Sequence, residues 1–150
     1  MADDLLNRLT RLERLLRAGF TTAKLVITGT LTLSNGAVTS GTYTPTLTND
    51  TNVDASTAEQ LQYLRVGNMV TVSGRCQVNA TAAASTILGI SLPIASNIGA
   101  VMDIGGVIVR GAGGVGEIRG NSTNDTAEAM WVATLTTNTA YYIHFTYRII

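Results

Sequence analysis

Apolar and polar residues alternate with two different periods along this chain, a helical period in the first twenty residues and a strand period after them. Leucines recur at Leu5, Leu9, Leu12 and Leu16, a spacing of four, three and four residues. In a helix this spacing places the four side chains along one edge, as at the a and d positions of a coiled coil. The pattern predicts an α-helix over about residues 4–18, followed by a β-rich chain.

The positions beside the leucine seam favour a helix that associates with copies of itself. Arg8 at g and Glu13 at e are placed to pair between neighbouring helices of a parallel coiled coil. Leu6 at e and Leu15 at g widen the apolar face beyond what a two-stranded seam buries. A helix of fewer than about 12–15 residues is also marginal alone in water. We therefore predict a homotrimer; packing of the helix onto its own domain is the alternative.

After the helix, apolar residues alternate with threonine and other polar residues, which indicates half-buried strands joined by tight turns. Gly67-Asn68 separates two alternating runs and predicts a hairpin whose buried face carries Val70, Val72 and Cys76. The final run has the most regular alternation and is expected to be a central strand. The predicted strands cover residues 24–33, 42–47, 60–66, 69–78, 87–92, 106–110, 115–119, 127–135 and 140–150.

These elements predict a mainly β fold, with an N-terminal trimeric coiled-coil helix followed by an antiparallel β-sandwich or jelly-roll-like head. Residues 1–20 are assigned to an α-helical stalk for oligomerisation and attachment. Residues 21–40 are assigned to a β neck and residues 41–150 to the β-sandwich head. No second globular domain is expected, because about 100–150 residues is the usual size of one domain.

Composition argues against a nucleic-acid partner and against insertion into a membrane. The net charge is zero and only 13% of residues are charged, so the chain has no basic stripe that would indicate a nucleic-acid partner. No apolar run reaches the roughly 18 residues of a membrane span, and no secretory signal precedes the helix, so we predict folding in the cytoplasm without membrane insertion. Threonine occupies 23 of the 150 positions, which favours strands and a surface covered by hydroxyl groups.

The sequence does not predict an enzyme, a cofactor or a metal. Gly111, Gly113 and Gly116 have the spacing of a dinucleotide-binding turn, but no helix is predicted after them, so a glycine-rich hairpin is expected. His144 is the only histidine and lies within a predicted strand, away from any nucleophile motif. Oxygen ligands for calcium remain an alternative in two polar segments. Their acidic residues are Asp50, Asp54 and Glu59 in the first and Asp125 and Glu128 in the second.

Four segments carry a resemblance to a known kind of module. They are GTYTPTLTN (41–49), QYLRVGNMVTVSGR (62–75), LGISLPIASN (88–97) and the closing AYYIHFTYRII (140–150). Together they resemble a module of tailed-bacteriophage virion proteins, in which such modules belong to fibres, spikes or head-decoration proteins. The resemblance implies a trimeric β head on an N-terminal attachment stalk, located in the virion and assembled in the host cytoplasm.

The same resemblance implies which partners the chain has. The leading expectation is a short tail fibre or spike, which would contact other tail or baseplate proteins and a glycan of the host surface. The alternative is a capsid cement protein, a head-decoration trimer that stabilises the shell. In the first case we expect contact through the polar loops at 49–57 and 121–125, since amide side chains suit sugars. The candidate residues are Asn49, Asp50, Asn52, Asp54, Asn121, Asn124 and Asp125. Trp131 would contribute only if exposed, and its alanine-rich strand face favours a place in the core.

Overall fold

The structure, a computed structural model, describes residues 32–33 and 36–150, with side chains from residue 38 onward. The predicted stalk helix and most of the predicted neck lie outside these residues. Oligomerisation through Leu5, Leu9, Leu12 and the leucines beside them therefore stays a prediction. The described residues form one compact unit. The strand Gly36–Tyr43 runs across residue 40, where the sequence suggests a boundary between neck and head.

The described residues are mainly β, as predicted. They form eleven strands and one short 3₁₀ helix, Val101–Asp103. All pairings between the strands are antiparallel. The strands are β1 (Thr32–Leu33), β2 (Gly36–Tyr43), β3 (Leu47–Thr51), β4 (Val53–Ala58), β5 (Leu61–Val66), β6 (Met69–Ala80), β7 (Ser85–Ser91), β8 (Ile104–Arg110), β9 (Val115–Asn121), β10 (Thr126–Val132) and β11 (Thr139–Arg148).

The strands hydrogen-bond into one sheet that curls back on itself. Its order is β1-β2-β5-β6-β11-β8-β9-β10-β7-β3. Strands β3 and β4 are consecutive and separated only by Asn52, yet β3 pairs with β7 while β4 pairs with β6. Because β7 and β6 are far apart in the strand order, this bent segment brings the two halves of the sheet together. Apolar side chains on the inner face consequently form one core.

The two most regular patterns in the sequence are confirmed. Strands β5 and β6 form the hairpin predicted at Gly67-Asn68, where Gly67 has a φ of 60°. Strand β11 is central, because it pairs with β6 on one edge and β8 on the other. Its odd-numbered residues from Tyr141 to Tyr147 are buried. They pair with residues of β6 that include the fully buried Val70, Val72 and Cys76. Side-chain alternation on two long paired strands therefore builds the centre of the core.

Two sequence predictions about the segment from 42 to 57 are wrong. The strand predicted at 42–47 is interrupted, because β2 ends at Tyr43 and β3 begins at Leu47. Pro45 lies in the interruption, and its missing N–H cannot join a ladder. The polar loop predicted at 49–57 is instead the bent pair β3 and β4, most of whose residues are exposed. Backbone pairing with β7 and β6 makes these residues strands, although they lack the apolar alternation that identifies strands in a sequence.

Burial of Cys76 in β6 is expected to make the head less stable at alkaline pH. Loss of hydration raises the pKa of this thiol to about 12, from an ordinary value of 9.0, and burial likewise raises the pKa of Tyr147 to about 12. The folded protein therefore keeps these protons at a pH where the unfolded chain releases them. These two groups reduce the free energy of unfolding only at alkaline pH. The decrease begins near pH 9 for Cys76 and near pH 10 for Tyr147 and approaches about 1.4 kcal/mol per pH unit for each group as the pH rises towards 12.

This dependence is measurable by urea unfolding at a series of pH values. Cys76→Val preserves an apolar side chain of similar size and removes the thiol, so the decrease expected between pH 9 and 10 becomes shallower, while Tyr147 still contributes above pH 10. An identical pH profile in wild type and variant would show that the thiol does not contribute.

No helix within the described residues has the length and the apolar character needed to span a membrane.

Candidate recognition surface

Asn52 lies at the bend between β3 and β4 and uses its side chain to hold that bend. Its Nδ2 donates to the carbonyl of Ala82 at 2.9 Å and to Oγ1 of the buried Thr86 at 2.8 Å. Its Oδ1 accepts from the N–H of Ala82 at 2.8 Å. The backbone has a φ of 57°, a left-handed conformation that asparagine tolerates better than most residues. Asn52 is therefore a structural residue of the corner, and its amide is not free to contact a ligand.

Two of the other three candidate residues in this segment hydrogen-bond to side chains on another strand. Asn49 on β3 accepts a hydrogen bond from the hydroxyl of Ser56 on β4. The Asp54 carboxylate accepts from Nδ2 of Asn79 on β6 at 3.0 Å. Asp50 is exposed, and its Oδ2 lies above Gly89. Asn49, Asn52 and Asp54 therefore connect strands, and Asp50 is the exposed carboxylate that this segment offers to a ligand.

The second predicted loop is confirmed as a turn at residues 122–125, between β9 and β10. Oδ1 of Asn121 accepts from the backbone N–H groups of Thr123 and Asn124, at 3.0 and 3.2 Å, which stabilises the turn. Asp125 has a φ of 52°, and its Oδ1 accepts from the N–H of Ile98 at 2.8 Å. Nδ2 of Asn121 also donates to Glu128. The side chain of Asn124 is exposed.

The structure does not bring the two predicted loops together. Asn52 contacts residues at the start of β7, whereas Thr126, next to the turn, pairs with Ser91 at the end of β7. Thr86 and Ser91 are five positions apart, about 17 Å of extended strand. A single small ligand therefore cannot contact both Asn52 and the turn.

Trp131 belongs to the core, as its alanine-rich strand face predicted. It is 6% exposed, and its ring lies 4.8 Å from that of Tyr141. Aromatic contact with a surface ligand must therefore involve another residue.

Tyr142 on β11 is an exposed aromatic side chain within a group of polar ones. It is 48% exposed on the outward face of the sheet, directly opposite Arg75 on β6. Arg75 in turn donates to Oε2 of Glu59 from both Nε, at 2.9 Å, and Nη2, at 2.8 Å. Nε2 of Gln77 donates to the other carboxylate oxygen of Glu59. The alternation of the last strand places Tyr142 on its polar face, but the sequence does not show which residues surround it.

The ion pair beside Tyr142 holds the arginine in one orientation. The hydrogen bond with Glu59 is the largest cause that raises the pKa of Arg75 above its ordinary value, followed by the charge of Glu59. Exposed pairs of this kind contribute little to stability, so their main effect here is on geometry. The planar guanidinium and carboxylate next to an exposed ring offer donors, acceptors and an aromatic face together.

The same outward face continues as a row of hydroxyl, amide and imidazole groups. Gln62 on β5 donates to the hydroxyl of Ser73, and Ser73 lies opposite the exposed His144. Thr71 and Thr146 share a hydrogen bond of 3.1 Å across β6 and β11. We call the outward-facing residues Gln62, Ser73, Arg75, Tyr142 and His144, with Glu59 beside them, the Tyr142 face. Its groups are suited to bind a polar, uncharged ligand such as a sugar.

The glycines and acidic residues considered for nucleotide and metal binding have structural roles in the sheet. Gly111, Gly113 and Gly116 belong to the β8–β9 hairpin, as predicted, since β8 pairs directly with β9. Within residues 36–150, His, Cys, Asp and Glu side chains form no group of three that would hold a metal ion. Glu59 instead pairs with Arg75, and Glu128 pairs with Arg119 at 2.8 Å.

Comparisons with protein-family models, with curated proteins and with solved structures find no match to this chain.

Proposed function

We propose that this chain is a structural protein of a bacteriophage virion, a short tail fibre or spike that is not an enzyme and has no cofactor. The observation that carries the proposal is the resemblance of four sequence segments to a module of tailed-phage virion proteins. These segments fall on β2 and β3, on the β5–β6 hairpin, on β7 and on β11. They are therefore elements of the curled sheet, which in this proposal is a sandwich-like or jelly-roll-like head.

In this proposal the N-terminal helix trimerises and attaches to the tail or baseplate, and the head contacts a glycan of the host surface. The Tyr142 face supports a role in that contact better than the predicted loops do. Asn52 and Asp54 are engaged within the sheet, whereas Tyr142 is exposed beside oriented polar groups. Sugars bind to such combinations through ring stacking and hydrogen bonds to planar side chains.

Replacement of Tyr142 by alanine tests this contact. Removal of one aromatic contact of about 1.5 kcal/mol corresponds to a roughly tenfold loss of affinity for host cells or their isolated surface glycans. Tyr142→Phe keeps the ring and should retain most of the binding. Leu135→Ala, at a residue that is 45% exposed and lies outside the Tyr142 face, is the matched control.

Two results would contradict this assignment. One is unchanged binding by the Tyr142→Ala protein. The other is a loss of binding on Asn124→Ala but not on Tyr142→Ala, which would show that the ligand contacts the turn after β9.

A second candidate function is capsid cement, a trimer that stabilises the shell by bridging capsomers. The observation that favours it is the surface, which has few charges and many threonine hydroxyls and is therefore suited to close contact with other proteins. In this case the outward faces of the head would contact the capsid and no host molecule.

Immunogold labelling or cryo-electron microscopy of the particle distinguishes the two. Label confined to the tail tip supports the fibre, and regular label over the capsid supports cement. Absence of the protein from purified particles would overturn both proposals.

A further inference from the structure

Four apolar side chains form an exposed patch on the outward face of β2, β5 and β6. Val38 lies opposite Val66, Val66 lies opposite Met69, and Leu64 is two residues from Val66 on the same face. Their exposed fractions are 38% for Val38, 47% for Leu64, 46% for Val66 and 47% for Met69. We call these four residues the Val66 patch. Contiguous apolar surface of this kind is typical of a protein–protein contact.

The position of the Val66 patch points to a second copy of this chain as its partner. The patch begins on β2, and β2 follows directly after β1, where the 31 preceding residues join the described chain. Those preceding residues include the leucines of the predicted trimeric helix. Copies joined by that helix would be held at a high effective concentration, so that even a small apolar contact between heads would form.

The chemistry of the patch also suits contact between identical surfaces. Around a threefold axis, the side chains nearest the axis meet their own equivalents, so any charge there would face an identical charge. The four residues carry no charge, and the adjoining polar residues Ser40 and Thr71 are neutral. Arg148, opposite Met69, is the charged residue at the border of the patch. A depression of about 300 Å³ offers room for a side chain of a neighbouring copy. It is lined by Leu64 of the patch and by polar residues that include Ser40, Thr71, Gln62 and Ser73.

We propose that the Val66 patch is the contact between heads in the homotrimer, with Val38, Leu64, Val66 and Met69 of three copies packed around the axis. This inference rests on the trimer of the proposed function and adds a second interface to it. Gln62 and Ser73, at one end of the Tyr142 face, adjoin the patch. Arg75 and Tyr142 lie further along the sheet, since Thr71, opposite Leu64, is four positions from Arg75 on β6, about 13 Å of strand. The ring of Tyr142 therefore stays accessible in the assembly.

Thiol crosslinking of the full-length chain tests the proposal. Val66→Cys is treated with a short bis-maleimide and compared with Val115→Cys, whose native valine is 72% exposed at the β8–β9 hairpin. The native Cys76 is buried and does not compete. We expect at least about tenfold more covalent dimer at position 66 than at position 115. Thiols at the head contact lie within reach of a short crosslinker at an effective concentration in the mM range, whereas position 115 is outside the proposed contact. Met69→Cys is the second variant if Val66→Cys does not fold.

Light scattering of the unmodified chain separates this inference from the trimer on which it rests. A trimeric mass with selective crosslinking at position 66 supports the proposal. A trimeric mass with no crosslinking at positions 66 and 69, or with equal crosslinking at position 115, overturns the head contact and leaves the stalk trimer intact. A monomeric mass overturns both.

In the trimeric case, Leu9→Asp with Leu12→Asp should reduce crosslinking at position 66, since the stalk supplies the effective concentration. Unchanged crosslinking would contradict that role of the stalk.

Discussion

Replacing Gly106 by alanine is expected to destabilise the head by about 3 kcal/mol, the upper end of the usual cost of adding atoms to a packed interior. A Cβ at this position of β8 would overlap the carbonyl oxygen of His144 and the Cα and Cβ of Phe145. Two of these three atoms belong to the backbone of the central strand β11, which cannot move without loss of its pairing with β6 and β8. Phe145 itself is fully buried, so its Cβ cannot shift away without disturbing the core.

The neighbouring glycine provides a matched control. Gly105 precedes Gly106 on the same strand and has no atom within 4 Å of the position that a Cβ would take. Gly105→Ala should therefore change the free energy of unfolding by no more than about 0.5 kcal/mol, as is usual at an exposed site. Urea unfolding followed by the fluorescence of Trp131, which is the only tryptophan, measures both variants. Equal stability of the two variants would show that the close packing of β8 against β11 is not as the structure describes it.

The second large effect is expected at the bend between β3 and β4. Asn52→Ala removes the side-chain hydrogen bonds to the backbone of Ala82 and to the hydroxyl of Thr86, at about 1 kcal/mol each. It also leaves a residue with a Cβ, and without a local side-chain hydrogen bond, in the left-handed conformation. We expect a loss of about 4 kcal/mol in the free energy of unfolding, about 3 from the three hydrogen bonds and about 1 from the left-handed backbone.

A second variant at the same position separates backbone strain from hydrogen bonding. Glycine adopts a φ of 57° without penalty, so Asn52→Gly should be about 1 kcal/mol more stable than Asn52→Ala and still less stable than the wild type. Asn124→Ala, at an exposed side chain in the turn after β9, is the control and should be neutral. Wild-type stability of Asn52→Gly would exclude a contribution of the amide contacts to the corner.

The parts of the fold that could be predicted from the sequence are those whose signal is local. The alternation in β6 and β11 identifies their buried faces, because successive side chains of a strand point to opposite sides. Gly67-Asn68 identifies its hairpin, because that turn needs backbone conformations that few residue types adopt. The core position of Trp131 also follows from its neighbours, since the alanines on its face leave space for a large ring.

The segment at 49–57 shows where local signals fail. Asn52 and its neighbours have the composition of a loop, and only β7 and β6, distant in the sequence, turn them into strands. The candidate residues of this segment were chosen for their polar side chains, but the sequence does not reveal that those side chains already hydrogen-bond to Ala82, Thr86 and Asn79.

By itself, the sequence determined a mainly β protein, the β5–β6 hairpin and the inward and outward faces of the last strand, because each depends on residues within a few positions of one another. Only the tertiary structure decided that the strands curl into one sheet closed at Asn52. It also decided that Tyr142 lies beside the Arg75–Glu59 pair and that Val38, Val66 and Met69 meet in one patch. These arrangements depend on strand order and cross-strand register, which arise when segments far apart in the chain pair to bury a common core.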